Sequence, residues 1–390
     1  MAVSHWATLA FHLTTGHLWR VDVRRDRCNS LSIKRFTKSR AKQRATQMTA
    51  LVRAASLINY FVVATHVGLN PQPLLAKYNL SRKLLADPEQ RIPVSAVVGL
   101  LEDSAQESGC DTFGLRMAEL RKLADMGAIS LLLTHQPTLR DVVKTITQYQ
   151  HLLNETLAID IENAGKQVVL RAEIVAELET SAHQATDLAI GVLFRVCWAL
   201  LGAKWHPLAV NFTHAGPSDT SVHQRIFRCA LAFNADFNGI VCPAVELDLP
   251  NPDADPAMAR YAARLVDLLP DGALTIAPSI ERDVRKSIYV GLPMGRATID
   301  QVAQAMGMNV RTLQRRLDEC GRTFSDLVNE VRRDLVLRYM ENPNYSVSRV
   351  AELLGYAVLS SFTRWFSAQF GAAPQAWRVK QGIRPTREEK

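Results

Sequence analysis

None of the six cysteines in this 390-residue chain belongs to a Cys-x-x-Cys pair. Cys28, Cys110, Cys197, Cys229, Cys242 and Cys320 are widely and irregularly spaced. That spacing argues against a structural zinc site and against the disulfide framework of a small secreted domain. The sequence also has no Gly-x-Ser-x-Gly elbow, no P-loop, no His-x-Glu deaminase signature and no dinucleotide-binding glycine run. An enzyme is therefore not expected, nor is a cofactor or a metal. No uninterrupted apolar run reaches the roughly 18 residues that span a bilayer; Arg195 breaks the most apolar stretch, residues 189–203. The first residues lack a charged segment leading into an apolar one, so no secretory signal and no membrane partner are expected. The expected location is the cytoplasm, at the nucleoid.

Acidic residues are scarce at both ends. Residues 1–47 hold 10 Lys/Arg against 2 Asp/Glu, residues 48–281 hold 18 against 25, and residues 282–390 hold 18 against 11. The net charges are +8, −7 and +7, so the overall +8 conceals two basic ends around an acidic middle. Such asymmetry points to nucleic acid. Six positive charges crowd residues 34–44. Residues 1–47 allow a nucleic-acid arm or a transit peptide, but the segment reads best as a basic, disordered extension. Met48 stands directly ahead of a helical pattern and is the expected natural start.

With 47% apolar residues, the chain can build two or three cores. Leu51, Ala54, Ala55, Ile58, Phe61 and Val62 recur at helix spacing, and Pro93-Val94-Ser95 opens a further helix. Helices continue through residues 127–153. Residues 158–162 and 167–174, around Asn163-Ala164-Gly165, read as a hairpin. Residues 181–201 and 255–269 read as helices, with a short one at 221–228. Residues 208–212, 230–233 and 244–249 read as strands. The expectation is a multi-domain chain. An α+β regulatory domain at 48–269 and a linker at 270–279 precede an all-α domain at 280–380, which holds two helix-turn-helix units joined by a helix. A tail follows at 381–390.

The two units form an internal repeat. Thr298-Ile-Asp-Gln-Val-Ala-Gln-Ala-Met-Gly307 leads into Val310–Leu317, and Ser346-Val-Ser-Arg-Val-Ala-Glu-Leu-Leu-Gly355 leads into residues 359–366. Thr298 with Gln301 is a capping-box signal. Ala303 and Ala351 are small enough to let the next helix cross closely. Gly307 and Gly355 supply a turn at positive φ, and Asn309 can cap the following helix. Leu313 and Leu317 match Phe362 and Phe366 as inward residues. Arg311, Gln314, Arg315 and Arg316 then face outward, as do Ser360, Thr363 and Arg364. Arginine and glutamine are the side chains that make paired hydrogen bonds to guanine and adenine edges. Arg316, Arg322, Arg332, Arg333, Arg338 and Arg378 are candidate phosphate contacts.

Gly355-Tyr356, Ser361-Phe362, Arg364, Phe366, Phe370-Gly371, Pro374 and Trp377-Arg378 resemble the signature of AraC/XylS-type transcriptional regulators over about residues 280–380. The resemblance implies that both recognition helices enter successive major grooves about one helical turn, ~34 Å, apart. It makes Arg311, Gln314 and Arg315 the base readers of the first unit, and Ser360, Thr363 and Arg364 those of the second. Val336 stands where the family commonly has alanine. Leu359 stands at an often polar position, which implies weaker readout by the second unit. Residues 51–60, Arg91-Ile-Pro-Val94 and Gly109–Met117 resemble the family's arabinose-binding-like regulatory domain. That resemblance implies a small-molecule effector of unknown identity, leaves room for a homodimer, and brings in RNA polymerase if the protein activates. A constitutive DNA-binding protein is the alternative. A helix-turn-helix DNA-repair alkyltransferase is disfavoured because Cys242-Pro243-Ala244 is not the Pro-Cys-His it needs. His206, His214 and His223 read as exposed or core histidines rather than metal ligands. Trp198, Trp205, Phe212 and Phe227 read as core rather than pocket.

Overall fold

The computed structural model describes residues 50–176, 178, 181–268 and 279–383. The extension read at 1–47, the linker at 270–278 and the tail beyond residue 383 lie outside the described residues.

The segment read as one helix from residue 51 is divided. Leu51–Arg53 is a strand (β1), Ala54–Leu57 a 3-10 turn, and only Tyr60–His66 (α1) is α-helical. Val52, Ala54, Ala55 and Leu57 are all buried, and a short run buried on every side carries no period that separates helix from strand. After α2 (Gln72–Lys77), β2 (Arg91–Pro93) pairs antiparallel with β1. Helices α3 (Val94–Ser108), α4 (Phe113–Glu119), α5 (Ile129–Thr134), α6 (Leu139–Gln148) and α7 (Gln150–Leu153) follow.

The hairpin read from the sequence is present as β3 (Leu157–Ala164) and β4 (Gln167–Ile174). Its register leaves Gly165-Lys166 as a two-residue loop, with Gly165 at φ 70°. Next comes α8 (His183–Leu201), which is long and apolar enough to cross a bilayer. Its apolarity is that of a helix enclosed by protein: Leu188, Ile190, Leu193, Phe194 and Cys197 are all in the core. A Cβ on Gly191 would lie 2.5 Å from that of Ala118, so α8 and α4 cross in close contact only because this position is glycine.

The sheet is completed by β5 (Ala209–Asn211), then, after α9 (Ser221–Phe227), by β6 (Ala230–Ala232) and β7 (Gly239–Pro243). Strand order is β3-β4-β7-β5-β6, with only β5 and β6 parallel. The strand read at 244–249 is corrected: Ala244–Asp248 is a 3-10 turn, and the strand is the segment before it. Val245 is exposed, whereas Ile240 and Cys242 are fully buried. Gly239 and Pro243, residues that usually punctuate a loop, frame β7 and hid it. The domain ends with α10 (Pro256–Asp267), whose start is capped by Asp255.

A second core lies in residues 280–383. It is built by α11 (Ile280–Gly291), α12 (Ile299–Ala305), α13 (Val310–Glu319), α14 (Phe324–Glu341), α15 (Val347–Leu353), α16 (Leu359–Phe370) and α17 (Pro374–Lys380). Leu313, Leu317, Leu327, Val331, Leu335, Phe362 and Phe366 fill it, and Val336 is buried among them. All strands among the described residues precede this segment.

Candidate nucleic-acid interface and ligand cavity

The first helix-turn-helix unit starts with a reciprocal cap. Thr298 Oγ1 accepts from the Gln301 amide at 3.3 Å, and Gln301 Oε1 accepts from the Thr298 amide at 3.2 Å. Val302 and Ala303 are buried, and Gly307 sits at φ 65°. Its turn is closed by the Met308 amide donating to Ala303 O at 2.8 Å. Asn309 Oδ1 then caps α13 by accepting from the Thr312 amide at 2.8 Å. Leu313 and Leu317 point into the core, so the 100° step per residue leaves Arg311, Gln314, Arg315 and Arg316 exposed. Arg315 lies 3.6 Å from Glu319, but both side chains are in water, where such a pair is worth little.

The second unit repeats the construction. Ser346 Oγ accepts from the Arg349 amide at 3.0 Å, Ala351 is buried, and Gly355 turns at φ 71°. Phe362 and Phe366 are fully buried. Ser360 and Arg364 are exposed; Thr363 is half-buried, and its hydroxyl donates to Leu359 O at 3.0 Å. Val358 and Leu359 are exposed apolar residues at the start of this helix.

Several arginines expected at phosphates are committed inside the protein instead. Arg378 is 2% exposed and donates to four carbonyls: Met340 (2.9 Å), Tyr345 (2.5 Å), Tyr339 (3.3 Å) and Asn342 (3.3 Å). Arg322 lies between Glu330 (2.5 Å) and Glu281 (3.2 Å). Arg332 donates to Leu354 O at 3.0 Å and stacks 4.2 Å from the Tyr356 ring, tying the joining helix to the second turn. Arg338 reaches Glu173 at 3.5 Å. Nothing local in the sequence distinguishes these from Arg316 and Arg333, which are exposed.

The acidic middle of the chain has a partner that composition did not reveal. Arg282 pairs with Glu155 (2.7 Å), Arg296 with Asp160 (3.2 Å), Arg338 with Glu173 (3.5 Å) and Arg349 with Asp236 (2.5 Å). Part of the +7 of residues 282–390 therefore answers carboxylates of the first domain. These contacts centre on the β3–β4 hairpin. Ala158 and Val175 pack on Val290 of α11, Glu173 meets Arg338 of α14, and Asp160 meets Arg296 in the loop before α12.

The opposite face of the same hairpin, through Leu157, Ile159 and Ile174, lines a cavity of about 150 Å³. Alternation along a strand puts these two sets on opposite faces. Val97, Leu101, Ile146, Leu188 and Val192 complete most of the wall, with Arg53, Ser56, Arg121, Asp125 and Asn154 as its polar residues. Trp205, Phe212 and Phe227 are buried core residues away from this cavity, as read; Trp198 is half-buried.

Of the three histidines, His206 is exposed, while His214 and His223 converge on Asp187 of α8. His214 Nε2 lies 2.8 Å from Asp187 Oδ1, and His223 Nε2 lies 3.5 Å from Oδ2. Burial alone would raise the Asp187 pKa, but the histidine hydrogen bonds outweigh it and hold the carboxyl below its ordinary range. For His214 burial pulls down, and the bond to Asp187 outweighs it and raises the imidazole. No group of three or more metal-ligating side chains occurs among the described residues. Cys242 is fully buried, and burial pushes its thiol up to about 11, the opposite of an activated nucleophile.

Residues 68–251 match the family model described as the N-terminal arabinose-binding domain of AraC transcription regulators, and residues 302–380 match a helix-turn-helix domain model. The HTH-type transcriptional regulator VirS of Mycobacterium tuberculosis is 25% identical over 341 residues, covering 86% of this chain and 99% of VirS. The ornithine utilization regulator of Pseudomonas aeruginosa is 21% identical over 316 residues, covering 78% and 93%. The transcriptional activator NphR of a Rhodococcus species is 28% identical over 141 residues, covering 34% and 42%.

Proposed function

Because the chain belongs to the AraC type of transcription regulators, with that family's N-terminal domain joined to a helix-turn-helix domain, we propose that α13 and α16 read two adjacent major grooves of double-stranded DNA. The observation that carries this reading is the exposed row Arg311, Gln314 and Arg315 over the buried Leu313 and Leu317. Arginine pairs bidentately with guanine and glutamine with adenine. On α16, Ser360 and Arg364 supply polar contacts, Thr363 supplies a methyl with its hydroxyl engaged, and Val358 and Leu359 suit thymine methyl groups. Among the candidate phosphate contacts, Arg316 and Arg333 are the ones left exposed. Selection of binding sites from random duplexes tests this. The expected product is a bipartite site with half-sites about 10 base pairs apart; enrichment of a single half-site contradicts use of both helices.

The N-terminal domain modulates this binding through its cavity. Its β3–β4 wall touches the ligand space on one face and the DNA-binding domain on the other, so a ligand that shifts the hairpin shifts Arg296, Arg338 and Val290 with it. The name of NphR favours activation, with RNA polymerase as partner. Transcription from a selected site should then rise when the regulator is added to purified polymerase; a fall marks a repressor.

A homodimer fits one further surface. Met258, Tyr261, Leu265 and Leu268 lie exposed on one stripe of α10 and its end. Leu265→Glu is expected to shift the sedimenting species from dimer to monomer. An unchanged species argues against this face.

A further inference from the structure

We propose that the cavity of the N-terminal domain binds a small apolar carboxylate, whose carboxyl group meets Arg121; this rests on the reading that the domain takes an effector. The volume of about 150 Å³ is of the size that admits a benzene-sized body, and the cavity is open on one side, so the end of a longer chain can lie outside it. The wall is mostly valine, leucine and isoleucine. A pentose, with hydroxyls along its length, would leave most of them unpartnered there, and a phosphate would want many more donors.

Arg121 sets the charge. It is 6% exposed and lines the cavity. Its Nη1 and Nη2 donate to the carbonyls of Ala55 (2.6 Å) and Ser56 (2.5 Å), while its Nε has no partner. Ser56 Oγ, on the same wall, is also buried without a partner. Arg53, by contrast, is already engaged by Glu89. Burial pulls the Arg121 pKa down to about 10, with Asp125 offsetting part of the effect. An arriving carboxylate would relieve a buried cation that has no ion-pair partner. A smaller neighbouring hollow shares Arg121, Asp125, Met126, Val192 and Val196 and adds Lys122 and Arg195. Three cations therefore stand against one carboxylate at this end, while the hairpin closes the wall with apolar side chains.

Calorimetric titration of the full chain with sodium octanoate, 1-octanol and L-arabinose tests the class. Octanoate is expected to bind about tenfold or more tightly than 1-octanol, because a hydrogen bond to a charged group is at stake. Arabinose is expected to give no heat. Ala189→Phe, which fills the cavity from α8, should abolish octanoate binding; Ala189→Leu serves if the larger residue prevents folding. Arg121→Lys should shrink the preference for octanoate over octanol. Equal binding of octanoate and octanol, binding of arabinose alone, or octanoate binding that survives the filled cavity each overturns the proposal. Affinity for a selected DNA site, measured with and without octanoate, separates the two readings. If octanoate binds in the cavity and DNA affinity does not move, the ligand class stands and the effector reading fails. If another compound shifts DNA affinity while octanoate does not bind, the effector reading stands and the class fails.

Discussion

Arg378→Met is expected to destabilise the second helix-turn-helix unit by about 3 kcal/mol or more, the cost of several buried bonds to a charged group. The guanidinium closes the end of α14: Tyr339 and Met340 offer last-turn carbonyls, Asn342 is the C-cap, and Tyr345 lies in the loop to α15. A cation there also answers the negative end of the helix dipole. Methionine keeps the apolar stem and removes every donor, so the carbonyls are left buried and unpaired. Hydrogen exchange is the suitable readout, because a chain with two cores need not unfold in one step. Amides of α15 and the end of α14 should lose protection while those of α8 keep theirs. Unchanged exchange, together with a salt slope of DNA binding reduced by about one, would instead make Arg378 a phosphate contact.

Asp187→Asn is the second large effect, expected to cost the first domain about 3 kcal/mol near pH 6, as removal of one partner from a buried ion pair does. The side chain keeps its size, so the loss is of charge and not of packing. Asp187 and His214 are both nearly inaccessible, and His223 lies against the same carboxylate. The folded-state pKa of Asp187 is depressed from its ordinary 3.8, so its contribution is present above that value and lost as pH falls through the folded pKa. The folded-state pKa of His214 is raised above its ordinary 6.5, so its contribution is complete below that value and lost as pH rises through the raised pKa. The pair therefore stabilises most between 3.8 and 6.5. His183, stacked on His214, has its pKa lowered by burial, while half-buried Glu102 nearby has its carboxyl raised by desolvation. Urea unfolding of both forms across pH checks the sign: the difference should peak in that window and shrink above it. A difference that does not vary with pH would mean His214 is neutral throughout.

The helix-turn-helix units were legible because their determinants are local. A cap and its third residue, a glycine at a turn and leucines four apart all act within ten positions, and all fall where expected. What decides an arginine's role is not local. The partners of Arg378 lie 33 to 39 residues away, and Arg282, Arg296, Arg338 and Arg349 meet carboxylates of another domain. The same holds for Asp187, which reads as one polar residue in an apolar helix until β5 and α9 bring His214 and His223 to it. The cavity was out of reach for the same reason, since its wall is gathered from β1, α3, α6, the β3–β4 hairpin and α8. In β1, near-continuous burial removed the alternation that would have marked a strand, and in β7 the flanking Gly239 and Pro243 read as loop residues.

Reading of DNA by α13 is tested most directly by Arg315→Ala, measured on a selected site and on the same site changed at each base in turn. The variant is expected to lose about 1–3 kcal/mol on the selected site and to become indifferent to the base at one position, while preferences elsewhere persist. An equal loss on every sequence, with no position relaxed, would contradict base reading by this helix and leave Arg315 a phosphate contact.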